Sequence, residues 1–199
     1  MKPKILVTRE VFDEVLDFLA QQLEVEANQD DRPFAPDELR SRLRDKDGVM
    51  CVLTDRIDAA LIEACPRLKV VGNVAVGYNN IDVPACSARG IAVTNTPGVL
   101  DETTADLVWA LLLATARRLT EDHAYLRSGQ WSRWYLYQLL GTDVHHATLG
   151  IVGLGRIGQA IARRAAGFEM QILYHNRARV DAAIETAHGA RHVALDELL

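Results

Sequence analysis

Short apolar segments alternate with amphipathic segments along the first hundred residues. Residues 4–8 and 48–53 have the apolar character of short β-strands, whereas residues 11–23 place apolar side chains at helical spacing on one face. Strands separated by helices are typical of a parallel sheet covered on both faces. The pattern therefore predicts an α/β fold with parallel sheets. Further strands are expected at residues 25–28, 68–76 and 91–95, and further helices from residue 36 and at residues 58–65 and 83–89.

A long apolar segment opens the second hundred residues. After Thr96-Pro97-Gly98, Asp101 is expected to cap a helix that runs to about Leu119. The helix is apolar on nearly all sides, so we expect it to lie at a junction between subunits or domains, with a core helix as the alternative. The aromatic stretch 128–137 is interpreted as a docking arm or as a satellite cluster that covers the sheet.

A glycine-rich turn follows the predicted strand at residues 149–152. The hexapeptide GLGRIG at residues 153–158 fits G-x-G-x-x-G and opens a predicted helix, with another strand at residues 170–174. Gly153 would permit the tight turn, Gly155 would let a pyrophosphate approach the backbone, and Gly158 would let the helix pack closely on the strand. The N–H groups of Arg156 and Ile157 are expected to hold dinucleotide phosphates. The alternative is a glycine-rich turn that binds no ligand.

The residues after the strand at 170–174 bear on the choice of cofactor. NAD sites usually carry an acidic residue there, which binds the ribose hydroxyls. In this sequence Asn176 occupies that position and Arg177 follows it. A neutral amide does not repel a 2′-phosphate, and a guanidinium can pair with one through two hydrogen bonds. We therefore expect NADP as the preferred cofactor and NAD as the second choice, unless Arg177 is only a solvated surface charge.

Composition argues against several classes of protein. The formal net charge is −5, and the basic residues form no stripe that would suit nucleic acid. The sequence has no run of 18 apolar residues, so we expect no membrane span. The short apolar run near the start is interpreted as a strand rather than a signal peptide. Cys51, Cys65 and Cys86 lack metal-ligand spacing, so we expect reduced thiols in a cytoplasmic protein and no metal site.

Four motifs in a fixed order resemble one protein family. They are VAVGYNNID at residues 74–82, NTPGVL at 95–100, TAD at 104–106 and GIVGLGRIG at 150–158. Together they resemble the D-isomer-specific 2-hydroxyacid dehydrogenases, especially the glyoxylate/hydroxypyruvate reductases. The resemblance implies an oxidoreductase that acts on the CH–OH group of small 2-hydroxy acids with NAD(P). It also implies a homodimer, with the apolar helix and the arm at residues 101–145 in the interface.

The resemblance also assigns roles to individual residues. The backbone at Val76 and Gly77 would bind the substrate carboxylate, because a strand that ends in Val-Gly can turn its N–H groups outward. The alternative for Gly77 is a plain turn glycine. Thr104 would lie near the nicotinamide, or would instead satisfy the backbone of a helix N-terminus. Asn79, Asn80 and Asp82 are interpreted as loop-shaping residues rather than catalysts.

By the same resemblance, residues 1–98 form an incomplete flavodoxin-like substrate domain and residues 99–199 an incomplete Rossmann nucleotide-binding domain. The arginine, acidic residue and histidine that the family uses in catalysis are expected downstream of residue 199, and none of the six histidines present matches that histidine. No catalytic residue is therefore assigned, and we expect this truncated chain to be inactive. The alternative is a non-catalytic dinucleotide-binding regulatory module on the same fold. Phosphoglycerate, formate and phosphite dehydrogenases are alternatives within the enzyme class.

Overall fold

Two units make up the chain, Met1–Gly98 and Val99–Leu199. The computed structural model describes residues 2–199. Every pair of neighbouring strands in either unit is parallel. The predicted α/β class with parallel sheets is confirmed.

The first unit has a five-stranded sheet in the order β2-β1-β3-β4-β5. This order is that of flavodoxin-like sheets. Its strands are β1 (Lys4–Val7), β2 (Glu24–Ala27), β3 (Gly48–Cys51), β4 (Val70–Asn73) and β5 (Ala92–Thr94), and its helices are α1 (Asp13–Gln22), α2 (Pro36–Leu43), α3 (Ala59–Ala64) and α4 (Val83–Ala88).

The central strands are buried along most of their length, which explains why they are mainly apolar. Leu6, Val49 and Val71 are fully buried and belong to one hydrophobic cluster. The free thiols of Cys51, Cys65 and Cys86 lie in the same cluster. Burial raises the pKa of Cys51 to about 12, so its thiol stays protonated at neutral pH. The prediction of reduced, unpaired thiols is consistent with this arrangement.

The second unit has a three-stranded sheet in the order β6-β7-β8. Its strands are β6 (Thr148–Val152), β7 (Gln171–His175) and β8 (Ala190–His192). Its helices are α5 (Asp101–Ala116), α6 (Leu119–Arg127), α7 (Arg156–Ala165), α8 (Ala182–His188) and α9 (Leu195–Leu198), with a 3-10 turn at Ala166–Phe168.

The prediction for the long apolar helix is wrong at both ends. Asp101 is the first helical residue of α5 rather than its cap, because Leu100 occupies the cap position. The helix ends at Ala116, since Arg118 adopts a left-handed conformation with φ of 54° and a second helix, α6, starts at Leu119. The sequence pattern does not separate these helices, because apolar side chains continue across the break.

A smaller part of the α5 surface is buried than its apolar composition predicts. Within the second unit only Ala105 and Trp109 are buried on this helix, while Leu107 and Leu111 are 59% and 58% exposed. The Trp109 indole donates to the carbonyl of Ile161 at 3.1 Å and stacks on Phe168 with 4.7 Å between ring centres. One side of α5 is thus fixed on α7, and the opposite side carries exposed leucines.

Strand β7 is tied to helix α8 by a buried tyrosine. Tyr174 is fully buried, and its phenol donates to Glu185 at 2.6 Å. Arg179 pairs with the same carboxylate at 2.7 Å. The Arg179 and Tyr174 hydrogen bonds lower the pKa of Glu185 to about 2. Glu185 is therefore ionised, and paired with Arg179, across the pH range in which proteins are usually studied.

Among residues 2–199, no helix combines the length and apolarity that crossing a lipid bilayer requires. Over the same residues, no group of three or more His, Cys, Asp or Glu side chains is arranged to hold a metal ion.

Candidate functional site

The glycine loop between β6 and α7 contains three glycines in three different environments. Gly153 has a φ of 102°, which is accessible at little cost only to glycine. A Cβ at Gly155 would meet no described atom within 4 Å, so this position faces open space. A Cβ at Gly158 would overlap the carbonyl oxygen of Gly153. The close approach expected at Gly158 is therefore made mainly to the loop itself, with the Ile151 side chain at 3.5 Å.

Helix α7 begins with N–H groups that have no acceptor. The first turn of any helix lacks intrahelical partners for its donors. Within residues 2–199, the backbone N–H groups of Arg156 and Ile157 donate to no protein acceptor. Because these groups lie at the positive end of the helix and next to the open space at Gly155, they can hold an anionic group.

The loop is anchored to the end of β7 by two hydrogen bonds. The Gly153 N–H donates to the carbonyl of His175 at 2.9 Å, and the Leu154 N–H donates to Oδ1 of Asn176 at 2.7 Å. Sequence reasoning places Asn176 at the cofactor site but misses this bond to the loop. Asn176 thus holds the loop with its oxygen and keeps its NH₂ group as a donor.

An open groove of about 480 Å³ lies at the carboxyl ends of β6 and β7. Ligands of open parallel sheets bind at this edge. The expected residues Gly153, Asn176 and Arg177 line the groove together with Val152, His175 and Ala178.

The two arginines after β7 differ in their availability. Arg179 is paired with Glu185, whereas Arg177 is exposed and forms no ion pair with any residue of the range 2–199. A guanidinium without a carboxylate partner at the rim of the groove is free to pair with a phosphate. Arg177 thus lines the groove without an ion-pair partner among residues 2–199, whereas Arg179 is held by Glu185.

Thr104 lies in the first turn of α5 and is half-buried. Its N–H donates to the carbonyl of Leu100 at 2.9 Å, but its hydroxyl makes no hydrogen bond within residues 2–199. Helix α5 is held along α7 by ion pairs from Glu102 to Arg163 at 2.6 Å and from Asp106 to Arg164, whose Nε lies at 2.8 Å. The hydroxyl is therefore unused by the helix N-terminus and remains open to a ligand.

In the first unit, Val76 and Gly77 have hydrogen-bonded carbonyls, whereas their N–H groups have no acceptor among residues 2–199. The carbonyl of Val76 accepts from Nδ2 of Asn95 at 2.8 Å, and that of Gly77 accepts from Nδ2 of Asn73 at 2.7 Å. Over the described range 2–199, the N–H groups of Val76 and Gly77 have no protein acceptor. Two adjacent free N–H donors are suited to bind a carboxylate.

Space rather than backbone conformation explains the glycine at position 77. Gly77 does not adopt the left-handed conformation that is accessible at little cost only to glycine. A Cβ there would lie 3.2 Å from Oδ1 of Asn79 and 3.8 Å from the Leu53 side chain. Leu53, Asn79 and Asn80 also line an adjacent groove of about 530 Å³. Glycine at this position keeps the approach to the free amides open.

The loop-shaping residues and the histidines can be located as well. The Asp82 carboxylate caps α4 by accepting from the Ala85 N–H at 2.9 Å. His145 and His146 are exposed on a turn, with 63% and 64% of their side-chain surfaces accessible, as expected of a solvated pair. We assign neither histidine a chemical role.

The parallel sheets and the glycine loop at a strand-to-helix turn define a Rossmann-like α/β protein of the NAD-binding type. A family model described as D-isomer specific 2-hydroxyacid dehydrogenase, catalytic domain, matches residues 5–195. The chain belongs to this family, and the resemblance drawn from its motifs is confirmed.

The similar proteins are longer than this chain. A glyoxylate reductase of Thermococcus onnurineus (strain NA1) is 48% identical over 203 residues, which cover 100% of this chain and 60% of that protein. The crystal structure of the TT0316 protein from Thermus thermophilus has a TM-score of 0.89 at 43% identity and matches 98% of this chain and 61% of its own. An acyclic imino acid reductase in complex with NADPH and D-Arg has a TM-score of 0.84 at 26% identity, covering 98% of this chain and 61% of its own. The chain thus spans about 60% of the length of the curated relatives it matches.

Replacement of Gly158 by alanine is expected to destabilise the second unit. The new methyl group would overlap the Gly153 carbonyl, so the loop or the start of α7 must move. We expect Gly158→Ala to lower the free energy of unfolding by about 2 kcal/mol or more. All three tryptophans lie in this unit, so urea unfolding followed by tryptophan fluorescence measures the effect.

Gly167→Ala is the matched control. Gly167 lies in the 3-10 turn after α7, and a Cβ there meets no described atom within 4 Å. We expect this variant to be as stable as the parent or slightly more stable. Equal stability of both variants would contradict the close approach at Gly158.

Proposed function

We propose that this chain provides the cofactor site and the substrate-carboxylate site of an NADPH-preferring 2-hydroxyacid dehydrogenase of the glyoxylate/hydroxypyruvate reductase type. The observation that carries the proposal is the pair of free amides of Arg156 and Ile157, beside a groove whose rim holds the unpaired Arg177. Members of the family use NAD(P), and one structural neighbour is in complex with NADPH. The name of the Thermococcus relative supports glyoxylate as a substrate.

Each candidate residue has a distinct task in this proposal. Gly153, Gly155 and Gly158 shape the loop, and the amides at the start of α7 bind the diphosphate. Arg177 pairs with the 2′-phosphate, and the NH₂ group of Asn176 donates to it while its oxygen holds the loop. The nicotinamide, when bound, would supply a hydride to the keto carbon, and the Thr104 hydroxyl would contact the cofactor. The amides of Val76 and Gly77 hold the carboxylate of the 2-keto acid.

The second candidate function is a non-catalytic dinucleotide-binding module. It is supported by an expectation from the family resemblance, namely that none of the six histidines of this chain is the one that transfers the proton. Both candidates need the same cofactor site, so cofactor binding tests what they share and turnover separates them.

Arg177→Ala is expected to weaken NADPH binding without affecting NADH binding. Loss of a charge-assisted contact to the 2′-phosphate should raise the Kd for NADPH about tenfold or more. Asn176→Asp should act in the same direction, because a carboxylate beside the groove repels the phosphate while its oxygen can still accept from Leu154. Fluorescence titration of the chain with each nucleotide measures both constants.

Arg191→Ala is the control for this titration. Arg191 is an exposed arginine of the second unit that pairs with Glu197 at 3.0 Å and does not line the groove. We expect its Kd values to equal those of the parent. A parent chain that binds NADH more tightly than NADPH, or an Arg177→Ala variant with unchanged preference, would contradict the assignment of NADP.

Turnover by the 199-residue chain is expected to be absent. By the family resemblance, the residue that would give a proton to the carbonyl as hydride arrives matches none of the six histidines of this chain. Incubation with NADPH and glyoxylate, followed through the loss of NADPH absorbance, should give no rate above the blank, although the same preparation binds NADPH. A steady glyoxylate-dependent rate would refute this expectation.

We further propose that the protein is cytoplasmic, because its free thiols suit a reducing compartment. We also propose a homodimer that uses the exposed apolar side chains of the second unit. Trp134 and Tyr137 in the arm are 74% and 82% exposed, and Leu107 and Leu111 on α5 are 59% and 58% exposed. Such apolar exposure is typical of surfaces that are covered in an assembly.

The double variant Trp134→Ser/Tyr137→Ser is expected to dissociate the dimer. Removal of two large aromatic side chains from an interface should raise the dissociation constant at least about tenfold. Sedimentation equilibrium measures it directly. Phe12→Ser serves as the control, because Phe12 is 80% exposed but lies in the first unit. A parent chain that stays monomeric at high concentration would show that this surface does not drive dimerisation.

A further inference from the structure

We propose that Asn95 is a positioning residue that turns the Gly77 amide toward the substrate carboxylate, and that Asn73, braced by Asn80, fixes the peptide plane that follows Gly77. This inference rests on the carboxylate-binding role proposed above for the amides of Val76 and Gly77. It adds residues that do not touch the substrate themselves but fix the direction of the backbone N–H groups that bind it.

Planarity of the peptide bond gives the physical basis. In a trans peptide the C=O of one residue and the N–H of the next point in opposite directions within one plane. A hydrogen bond that holds a carbonyl on one side of the chain therefore directs the N–H of the next residue to the other side. The orientation of the Gly77 N–H is thus set by what bonds to the carbonyl of Val76.

Asn95 makes that bond. It follows β5, and its Nδ2 donates to the Val76 carbonyl at 2.8 Å. The next residue, Thr96, donates its backbone N–H to the Ala75 carbonyl at 2.9 Å, which in the same way orients the Val76 N–H. Two successive residues after β5 therefore fix two successive peptide planes of the segment after β4.

Asn73 fixes the next plane from the opposite end. It is the last residue of β4 and is only 2% exposed. Its Nδ2 donates to the Gly77 carbonyl at 2.7 Å, so the chain folds back over its own side chain. Gly77 is thus held on both sides, through the carbonyl before it and through its own carbonyl.

Asn80 keeps Asn73 in place. The two amides exchange hydrogen bonds of 3.2 and 3.4 Å. Nδ2 of Asn80 also donates to the carbonyls of Val52 and Asp55 at 3.1 and 3.0 Å, which connects the network to the loop after β3. A half-buried amide with several partners has little rotational freedom, so it restricts the side chain that it contacts.

Asparagine suits this task because it donates to carbonyls without bringing charge. Aspartate would lack the donor and would place a negative charge near the proposed carboxylate site. Donors that are fixed before the ligand arrives need not be reorganised on binding, so the proposed site depends on this network for its affinity.

The test uses the full 199-residue chain labelled with ¹⁵N and oxamate, an unreactive mimic of a 2-keto acid. In the parent chain we expect the amide resonances of Val76 and Gly77 to shift on titration. Asn95→Ala and Asn73→Ala should each weaken oxamate binding about tenfold, the size expected when a binding donor loses its fixed orientation. Thermal unfolding without oxamate reports any loss of stability separately.

Asn28→Ala is the matched control. Asn28 makes the same kind of side-chain bonds elsewhere in the first unit, to the carbonyls of Thr8 at 2.9 Å and Arg32 at 2.7 Å. We expect it to lose stability without any change in oxamate affinity. Asn95 is only half-buried and follows β5 at the edge of the sheet, so Asn95→Ala decides the question if the buried Asn73→Ala variant does not fold.

The outcomes separate this inference from the function on which it rests. If the Val76 and Gly77 resonances shift in the parent and the affinity is equal in Asn95→Ala, the positioning role is overturned while the carboxylate site stands. If these resonances do not respond to oxamate in the parent, the proposed carboxylate site is overturned and the positioning role with it. Weaker binding in Asn95→Ala but not in Asn28→Ala supports the inference.

Discussion

Backbone N–H groups without protein acceptors, at the carboxyl ends of parallel strands, are the feature on which both candidate sites depend. In the second unit they arise from the helix itself, because the N–H groups in the first turn of α7 have no preceding helical carbonyls to bond. In the first unit no helix starts at Gly77. There the carbonyls of Val76 and Gly77 accept from side-chain amides, and the N–H groups of the same two residues have no acceptor among residues 2–199. Two different backbone conformations thus provide the same kind of free backbone donor.

Asparagine appears in both units, with opposite ends of its amide in use. Asn176 accepts from the Leu154 N–H with its oxygen, whereas Asn73 and Asn95 donate to carbonyls with their NH₂ groups. In each case a neutral side chain restrains a backbone segment that would bind an anion. A carboxylate could replace only the accepting role, and its charge would oppose the anion that the segment is proposed to hold.

The sequence predicts features that arise from neighbouring residues, but it does not predict those that arise from tertiary contacts. The strand, glycine loop and helix at residues 148–165 follow from short-range pattern, and Gly153 has the positive φ that the motif implies. The bonds from Asn176 to Leu154 and from Asn95 to Val76 join residues about twenty positions apart, which periodicity cannot detect. The break between α5 and α6 is missed because it depends on the left-handed conformation of Arg118 within an apolar run, with no glycine or proline to mark it.

Net charge gives no guide to where an anion would bind in this chain. The formal charge is −5, and most of the arginines near the second sheet are neutralised by carboxylates, as Arg179 is by Glu185 and Arg163 by Glu102. Arg177 has no such partner among residues 2–199, although it lies only two positions from Arg179. Pairing with Glu185 fixes Arg179 on α8, whereas Arg177 lines the groove. The resulting field is local and short-ranged, since charges beyond about 10 Å are screened at ordinary ionic strength. The availability of a guanidinium at that rim therefore depends on which arginine lacks a carboxylate, and not on the charge of the chain as a whole.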